Sequence, residues 1–129
     1  MTVRILIVDD SEIFRTGLRA FVEAQADWEV CGEARDGQEA IQKTRQLAPN
    51  LIVMDLAMPV MSGIDATRQI LREFPGTPIV LLTLYITRQL IEDARNLGIR
   101  ATVSKTTMDR LPDCISAALR GENPDTPMG

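Results

Sequence analysis

Histidine is absent from all 129 residues. The chain therefore has no imidazole to serve as general base, zinc ligand or near-neutral pH switch, which sets aside many hydrolase mechanisms. Only two cysteines occur, Cys31 and Cys114, far apart and without CxxC spacing; each reads as a reduced thiol in core or near-core space. No apolar run approaches the ~20 residues that span a bilayer. The amino terminus is a strand pattern, not a charged segment with an apolar run and a cleavage site. The cytoplasm is the expected compartment, with no membrane partner. A basic cluster is missing too: the net charge is −4, which speaks against direct nucleic-acid binding. What is present, 45% apolar and 25% charged residues, suits one soluble domain with one core.

The apolar pattern alternates between two periods. Short runs predict buried strands at Val3 to Val8, Leu51 to Met54 and Pro78 to Thr83, a half-exposed edge strand at Trp28 to Ala34, and a weak fifth at Ala101 to Ser104. Helical spacing fills the intervals. Phe14, Leu18, Phe21 and Val22 share a face after a Ser11 N-cap, and Ala40, Ile41 and Leu47 follow an Asp36/Glu39 capping-box pattern. Ile64, Thr67, Ile70, Leu71 and Phe74 form a third helix entered through Ser62-Gly63. Leu90, Ile91, Ala94 and Leu97 form a fourth closed by Gly98. Leu111, Ile115, Ala118 and Leu119 form a fifth ending near Gly121. Strand then helix, five times over, requires parallel strands with helices on both faces. The expected architecture is a doubly wound five-stranded α/β sheet, flavodoxin-like, with strand order 2-1-3-4-5. Residues 1–121 are the expected domain. Residues 122–129, "ENPDTPMG", have two prolines and no periodicity, and read as a tail or linker stub.

In such a sheet ligands bind beyond the carboxyl ends of the strands, where the order reverses. Asp9 and Asp10 follow the first strand and Asp55 the third, so three carboxylates are expected within a few ångströms of one another. Like charges at that range disfavour joint ionisation unless something compensates. Oxygen-only ligands select a hard cation, and a shallow wet site suits Mg2+. Pro59 and Gly63 shape the loop after Asp55. Thr83 ends the fourth strand and Lys105 follows the fifth, placing a hydroxyl and an ammonium at the same end of the sheet. Any one of these is unremarkable: an Asp after a strand is most often a turn former.

Taken together, Asp9-Asp10, the Asp55 loop with Met58-Pro59 and Gly63, Thr83 and Lys105 resemble a response-regulator receiver domain of two-component signalling, over nearly the whole chain. The resemblance implies that Asp55 is the phosphoacceptor. It implies Mg2+ bound by Asp10, Asp55 and the Ala57 backbone carbonyl, with Asp9 acting through water, and Thr83 and Lys105 contacting the phosphoryl group. The implied partner is a sensor histidine kinase, with a homodimer through the fourth helix, fifth strand and fifth helix as a further implied partner. The domain would phosphorylate and dephosphorylate itself without being a conventional enzyme. The stretch from Asp55 to Thr83 resembles the subfamily with a LuxR-type helix-turn-helix output, so transcription is the implied output, with no DNA bound by this domain itself.

Two positions depart from the pattern. Thr102 stands where receivers commonly carry Tyr or Phe. Leu84 stands where a small residue is usual, and is expected either to restrict access to the site or to pack toward the fourth helix. Tyr85, the only tyrosine, is expected either to replace the missing switch aromatic in part or to lie on the surface. A haloacid-dehalogenase-type phosphotransferase also uses a strand-end aspartate, but needs a second Asp two residues on, where this chain has Ala57. The remaining alternative is a degenerate receiver acting as a phosphorylation-independent interaction module.

Overall fold

The computed structural model describes residues 2–124; residues 125–129 of the expected tail lie outside them. Ten regular elements alternate as β1 (Val3–Val8), α1 (Glu12–Glu23), β2 (Trp28–Ala34), α2 (Gly37–Leu47), β3 (Leu51–Asp55), α3 (Gly63–Glu73), β4 (Ile79–Thr83), α4 (Arg88–Leu97), β5 (Ala101–Ser104) and α5 (Leu111–Leu119), with a single 3-10 turn at Met108–Arg110. The sheet is parallel throughout in the order β2-β1-β3-β4-β5, as expected. β1 and β3 are therefore adjacent, and the chain leaves them toward opposite faces.

The period of two divides the core. Ile5, Ile7, Leu51, Val53, Val80 and Leu82 face α1 and α5, while Leu6, Val8, Ile52, Met54, Ile79 and Leu81 face α2, α3 and α4. All twelve are fully buried. Covered on both sides, these strands need apolar side chains at consecutive positions, which is why they read as runs and not as alternation. β2 breaks register between Ile5 and Leu6 of its partner and carries polar residues on its open edge.

Four of the five helices, α1 to α4, are started by a side chain, whereas α5 has Pro112 in its first turn and no side-chain cap. Ser11, Asp36, Ser62 and Thr87 accept hydrogen bonds from the backbone N–H groups of Phe14, Glu39, Asp65 and Leu90, at 2.8–3.2 Å. The Asp36/Glu39 capping box forms in one direction: Asp36 accepts, whereas the Glu39 carboxylate lies 3.6 Å from Arg35. Gly98 closes α4 with φ +110°, a conformation that only glycine adopts without strain. The carbonyls at the end of α2 receive Arg4 from β1, 2.6 Å from Leu47 and 3.1 Å from Ala48. Asp55 proves to be the last residue of β3, and Pro78 precedes β4. Cys114 is buried and Cys31 half-buried, and the two are not joined in a disulfide. Among the described residues, no helix is long and apolar enough to cross a membrane.

Candidate functional site

The carboxyl ends of β1, β3, β4 and β5 surround one hollow of about 510 Å³, lined by Asp10, Asp55, Leu56, Ala57, Thr83, Leu84, Tyr85 and Lys105. Asp9 continues the ladder past β1, its N–H donating to the Ala34 carbonyl at 3.1 Å, and is completely buried. Its Oδ1 accepts from the Ser11 N–H at 2.8 Å, a turn that swings the chain into α1. Asp10, one residue on, is exposed. Asp55 is 3% exposed, and one carboxylate oxygen from each of the three aspartates lies within 4.8 Å of the others.

Lys105 reaches this cluster from beyond β5. Its N–H donates to the Thr83 carbonyl at 2.8 Å, which fixes where its side chain begins. The ammonium donates to Asp9 Oδ2 at 2.7 Å, stands 3.2 Å from Asp55 Oδ1, and lies 4.2 Å from the centre of the Phe14 ring. Burial works against that charge, but the Asp9 hydrogen bond and the two carboxylates outweigh it, and its pKa is raised. Burial first, then the Asp9 charge, push Asp55 up to about 6, with Lys105 pulling the other way. One ammonium against three carboxylates leaves the cluster short of positive charge. Three oxygen donors at this spacing, beside an open hollow, fit a hard divalent cation.

The loop after Asp55 is held by its backbone. Gly63 N–H donates to the Leu56 carbonyl at 2.9 Å, and a Cβ at position 63 would stand 2.1 Å from the Asp55 carbonyl oxygen. Gly63→Ala must therefore push the loop off β3. The expected loss is about 2 kcal/mol or more in urea unfolding; an unchanged midpoint would show that the loop yields freely. Between them Met61 N–H donates to the Pro59 carbonyl at 2.7 Å, a three-residue turn that holds Val60 at φ +68°. A β-branched residue is strained there, and Val60 is 79% exposed with little packing to lose. Val60→Asn is expected to raise stability by about 1 kcal/mol in the same measurement; a loss would place the turn's origin elsewhere.

Thr83 is 7% exposed and its hydroxyl is engaged with its own loop, donating to the Tyr85 carbonyl at 3.3 Å and accepting from the Tyr85 N–H at 3.4 Å. These are long bonds, easily exchanged. Leu84, 59% exposed, stands at the rim of the hollow instead of packing down onto α4. Tyr85 is 81% exposed, so its ring lies at the surface on the same rim. Thr102 is buried in β5, its strand neighbours Ala101 and Val103 facing the α1/α5 side. The ring of Tyr85 does not occupy the interior beside it.

Sequence reasoning missed Arg15 and Glu33, and it placed Phe14 on the apolar face of α1 without its contact to Lys105. Arg15 is 8% exposed and donates to the Asp9 backbone carbonyl at 2.7 Å and to Glu33 Oε1 at 3.0 Å, while Arg19 grips Glu33 Oε2 at 2.7 Å. Burial raises and the two guanidiniums lower the Glu33 pKa, with the guanidiniums prevailing. A signal was available: Arg15 shares the buried stripe of α1 with Leu18 and Val22, and a charge on an apolar stripe needs a partner.

A doubly wound parallel sheet with three aspartates, a lysine and a threonine gathered at the carboxyl ends of β1, β3, β4 and β5 defines a class of receiver-like α/β domain. Sequence comparison gives the family: residues 5–116 match the response regulator receiver domain, and the chain belongs to it. It is similar to the response regulator protein VraR of Staphylococcus aureus, 38% identical over 124 residues covering 95% of this chain. It spans about 59% of that protein's length. Among solved structures it resembles a LuxR-family two-component response regulator from Aurantimonas sp. SI85-9A1, with TM-score 0.91, 33% identity, and coverage of 97% and 92% of the two chains. It also resembles the isolated receiver domain of RcsB from Salmonella enterica serovar Typhimurium in the presence of the phosphomimetic BeF3−, with TM-score 0.86, 27% identity, and coverage of 95% and 92%.

Proposed function

We propose that this receiver domain accepts a phosphoryl group on Asp55 from a phosphohistidine of a sensor histidine kinase, in a reaction that requires Mg2+. The observation that carries the proposal is the meeting of Asp10, Asp55 and Lys105 at one open hollow, with Asp9 buried against Lys105. Mg2+ would be held by the Asp10 and Asp55 carboxylates and the Ala57 carbonyl, with Asp9 acting through water. When bound it supplies the positive charge that lets a carboxylate and a phosphoryl group approach. An Asp55 oxygen forms the O–P bond, the P–N bond breaks, and its electron pair stays on the donor imidazole. Lys105 neutralises charge on the transferring group, and Thr83 exchanges its contacts with Tyr85 for a phosphoryl oxygen, which draws on the loop before α4. Water removes the phosphoryl group from the acyl phosphate and resets the domain. No histidine base is needed because alignment and charge compensation supply most of the rate.

In the same proposal residues 1–121 are the receiver and 122–129 a tail or linker stub. The α4–β5–α5 face changes on phosphorylation to control a LuxR-type transcriptional output, through a homodimer. The domain itself, cytoplasmic in this reading, binds no DNA. A second reading, a phosphorylation-independent interaction module, is favoured by the absence of an aromatic at Thr102 and the surface position of Tyr85.

The test is incubation with Mg2+ and acetyl phosphate, followed by intact mass and by sedimentation with and without beryllofluoride. One alkali-labile phosphate, lost in Asp55→Asn, together with an altered sedimentation coefficient, supports the switch. An adduct with no change of state at any concentration would leave the interaction module as the better reading, and no adduct from any donor would remove the phosphoacceptor role.

A further inference from the structure

The carboxylates of Asp9 and Asp55 are held in place by Lys105, but that of Asp10 forms no hydrogen bond or ion pair among the described residues. Its direction therefore comes from its backbone alone. The peptide that carries it, Asp9 C=O to Asp10 N–H, follows the last rung to β2, the Asp9 N–H bond to the Ala34 carbonyl. That carbonyl accepts from the buried guanidinium of Arg15 at 2.7 Å. Arg15 is in turn oriented by Glu33 on β2, 3.0 Å from its Nε, and Glu33 is held from its other oxygen by Arg19 at 2.7 Å. A fork with two of its nitrogens engaged on separate elements cannot rotate without breaking one of them.

We propose that Arg15 is a positioning residue for the metal site: with Glu33 it locks the Asp9–Asp10 peptide and so aims the otherwise unsupported Asp10 carboxylate at Mg2+. This rests on the reading of Asp10 as a magnesium ligand, and it adds a device reaching from the sheet's outer edge strand to that ligand. Charge points the same way. The Arg15 cation is matched by Glu33, so it contributes a hydrogen-bond donor without adding much positive charge to compete with the metal. Hydrogen bonds that orient a metal's ligands from outside are commonly worth about 10–100-fold in metal affinity, and Arg15 acts through the backbone at the lower end of that range.

The experiment is calorimetric titration of the whole chain with Mg2+, on the wild type, Arg15→Met, Arg15→Lys, Glu33→Gln and Leu18→Ala. Arg15→Met should weaken Mg2+ binding about tenfold or more. Arg15→Lys, which still donates to the carbonyl, should recover at least half of that loss on a logarithmic scale. Glu33→Gln should fall between them. Leu18→Ala removes buried α1 packing without touching the Asp9 carbonyl, and should lower the melting temperature while leaving Mg2+ affinity unchanged. An Arg15→Met protein that binds Mg2+ like the wild type overturns the inference. So does a Leu18→Ala protein that loses as much affinity, since the effect would then follow stability. If Arg15→Met does not fold, the Lys and Gln variants carry the comparison, and normal affinity in both overturns it equally. A wild type that binds no Mg2+ would instead overturn the metal reading on which the inference stands.

Discussion

Replacing Asp55 by asparagine is expected to make the magnesium-free domain more stable at pH 7, by about 2 kcal/mol, while abolishing the phosphoryl adduct. The wild-type carboxyl is held up to about 6 by burial and by the Asp9 charge, against the pull of Lys105. The difference between 3.8 and about 6 corresponds to about 3 kcal/mol at most, and water in the open hollow reduces it. Between the ordinary carboxyl value near 3.8 and about 6, the native state holds more protons than the unfolded state. Wild-type stability from this group therefore falls as pH rises through that window and stays level above it. Urea unfolding in a chelator from pH 4 to pH 8 checks this. The two proteins should converge near pH 4 and separate by pH 7, whereas a variant less stable at pH 7 would sink the account. Added Mg2+ should then stabilise the wild type more than the variant and narrow the gap.

Lys105→Met is expected to cost about 3 kcal/mol at pH 7, because it leaves Asp9 fully buried and without its cation. The ring of Phe14 loses its cation as well. The elevated pKa of Lys105 means that its contribution is complete below about 10.5 and disappears as pH rises through the higher folded value. Asp9→Asn in the same chain should return most of the lost stability, since the buried charge is then gone. A double-mutant cycle that gives simple additivity would contradict the pairing. Phosphorylation of Lys105→Met by acetyl phosphate should slow about a hundredfold, the usual effect of losing one fixed electrostatic donor. Mg2+ binding should persist, because a lysine cannot be its ligand.

Much of the site was legible because strand ends are legible. Runs such as "RILIV" and "IVLLT" end where the core ends, so the residue that follows has to stand at the rim of the sheet. The caps were legible for a similar reason: Ser11, Asp36 and Ser62 act on a backbone N–H three residues away, within one turn. Thr87, the cap of α4, acts in the same way but was overlooked beside the less usual Leu84 and Tyr85. Arg15 was hidden because its neighbour Phe14 completed the apolar spacing of α1 without it, and because its partner Glu33 lies on another strand. Val60 was hidden because nothing in "MPVMS" forces a β-branched residue to a positive φ; the clamp of Gly63 against β3 and the Pro59–Met61 hydrogen bond do that.

By itself the sequence determined the alternation of strand and helix, the sheet's buried character and the placing of Asp9, Asp10, Asp55, Thr83 and Lys105 at one end. Each of these follows from local periodicity and short-range backbone chemistry. Only the tertiary structure decided that Lys105 would bond an aspartate 96 residues away, that Asp9 would be sealed while Asp10 stayed open, and that Tyr85 would lie outward. Partner choice depends on how distant elements pack and on which side chains reach the hollow between them. That information is spread over the whole chain and is not carried by any one segment of it.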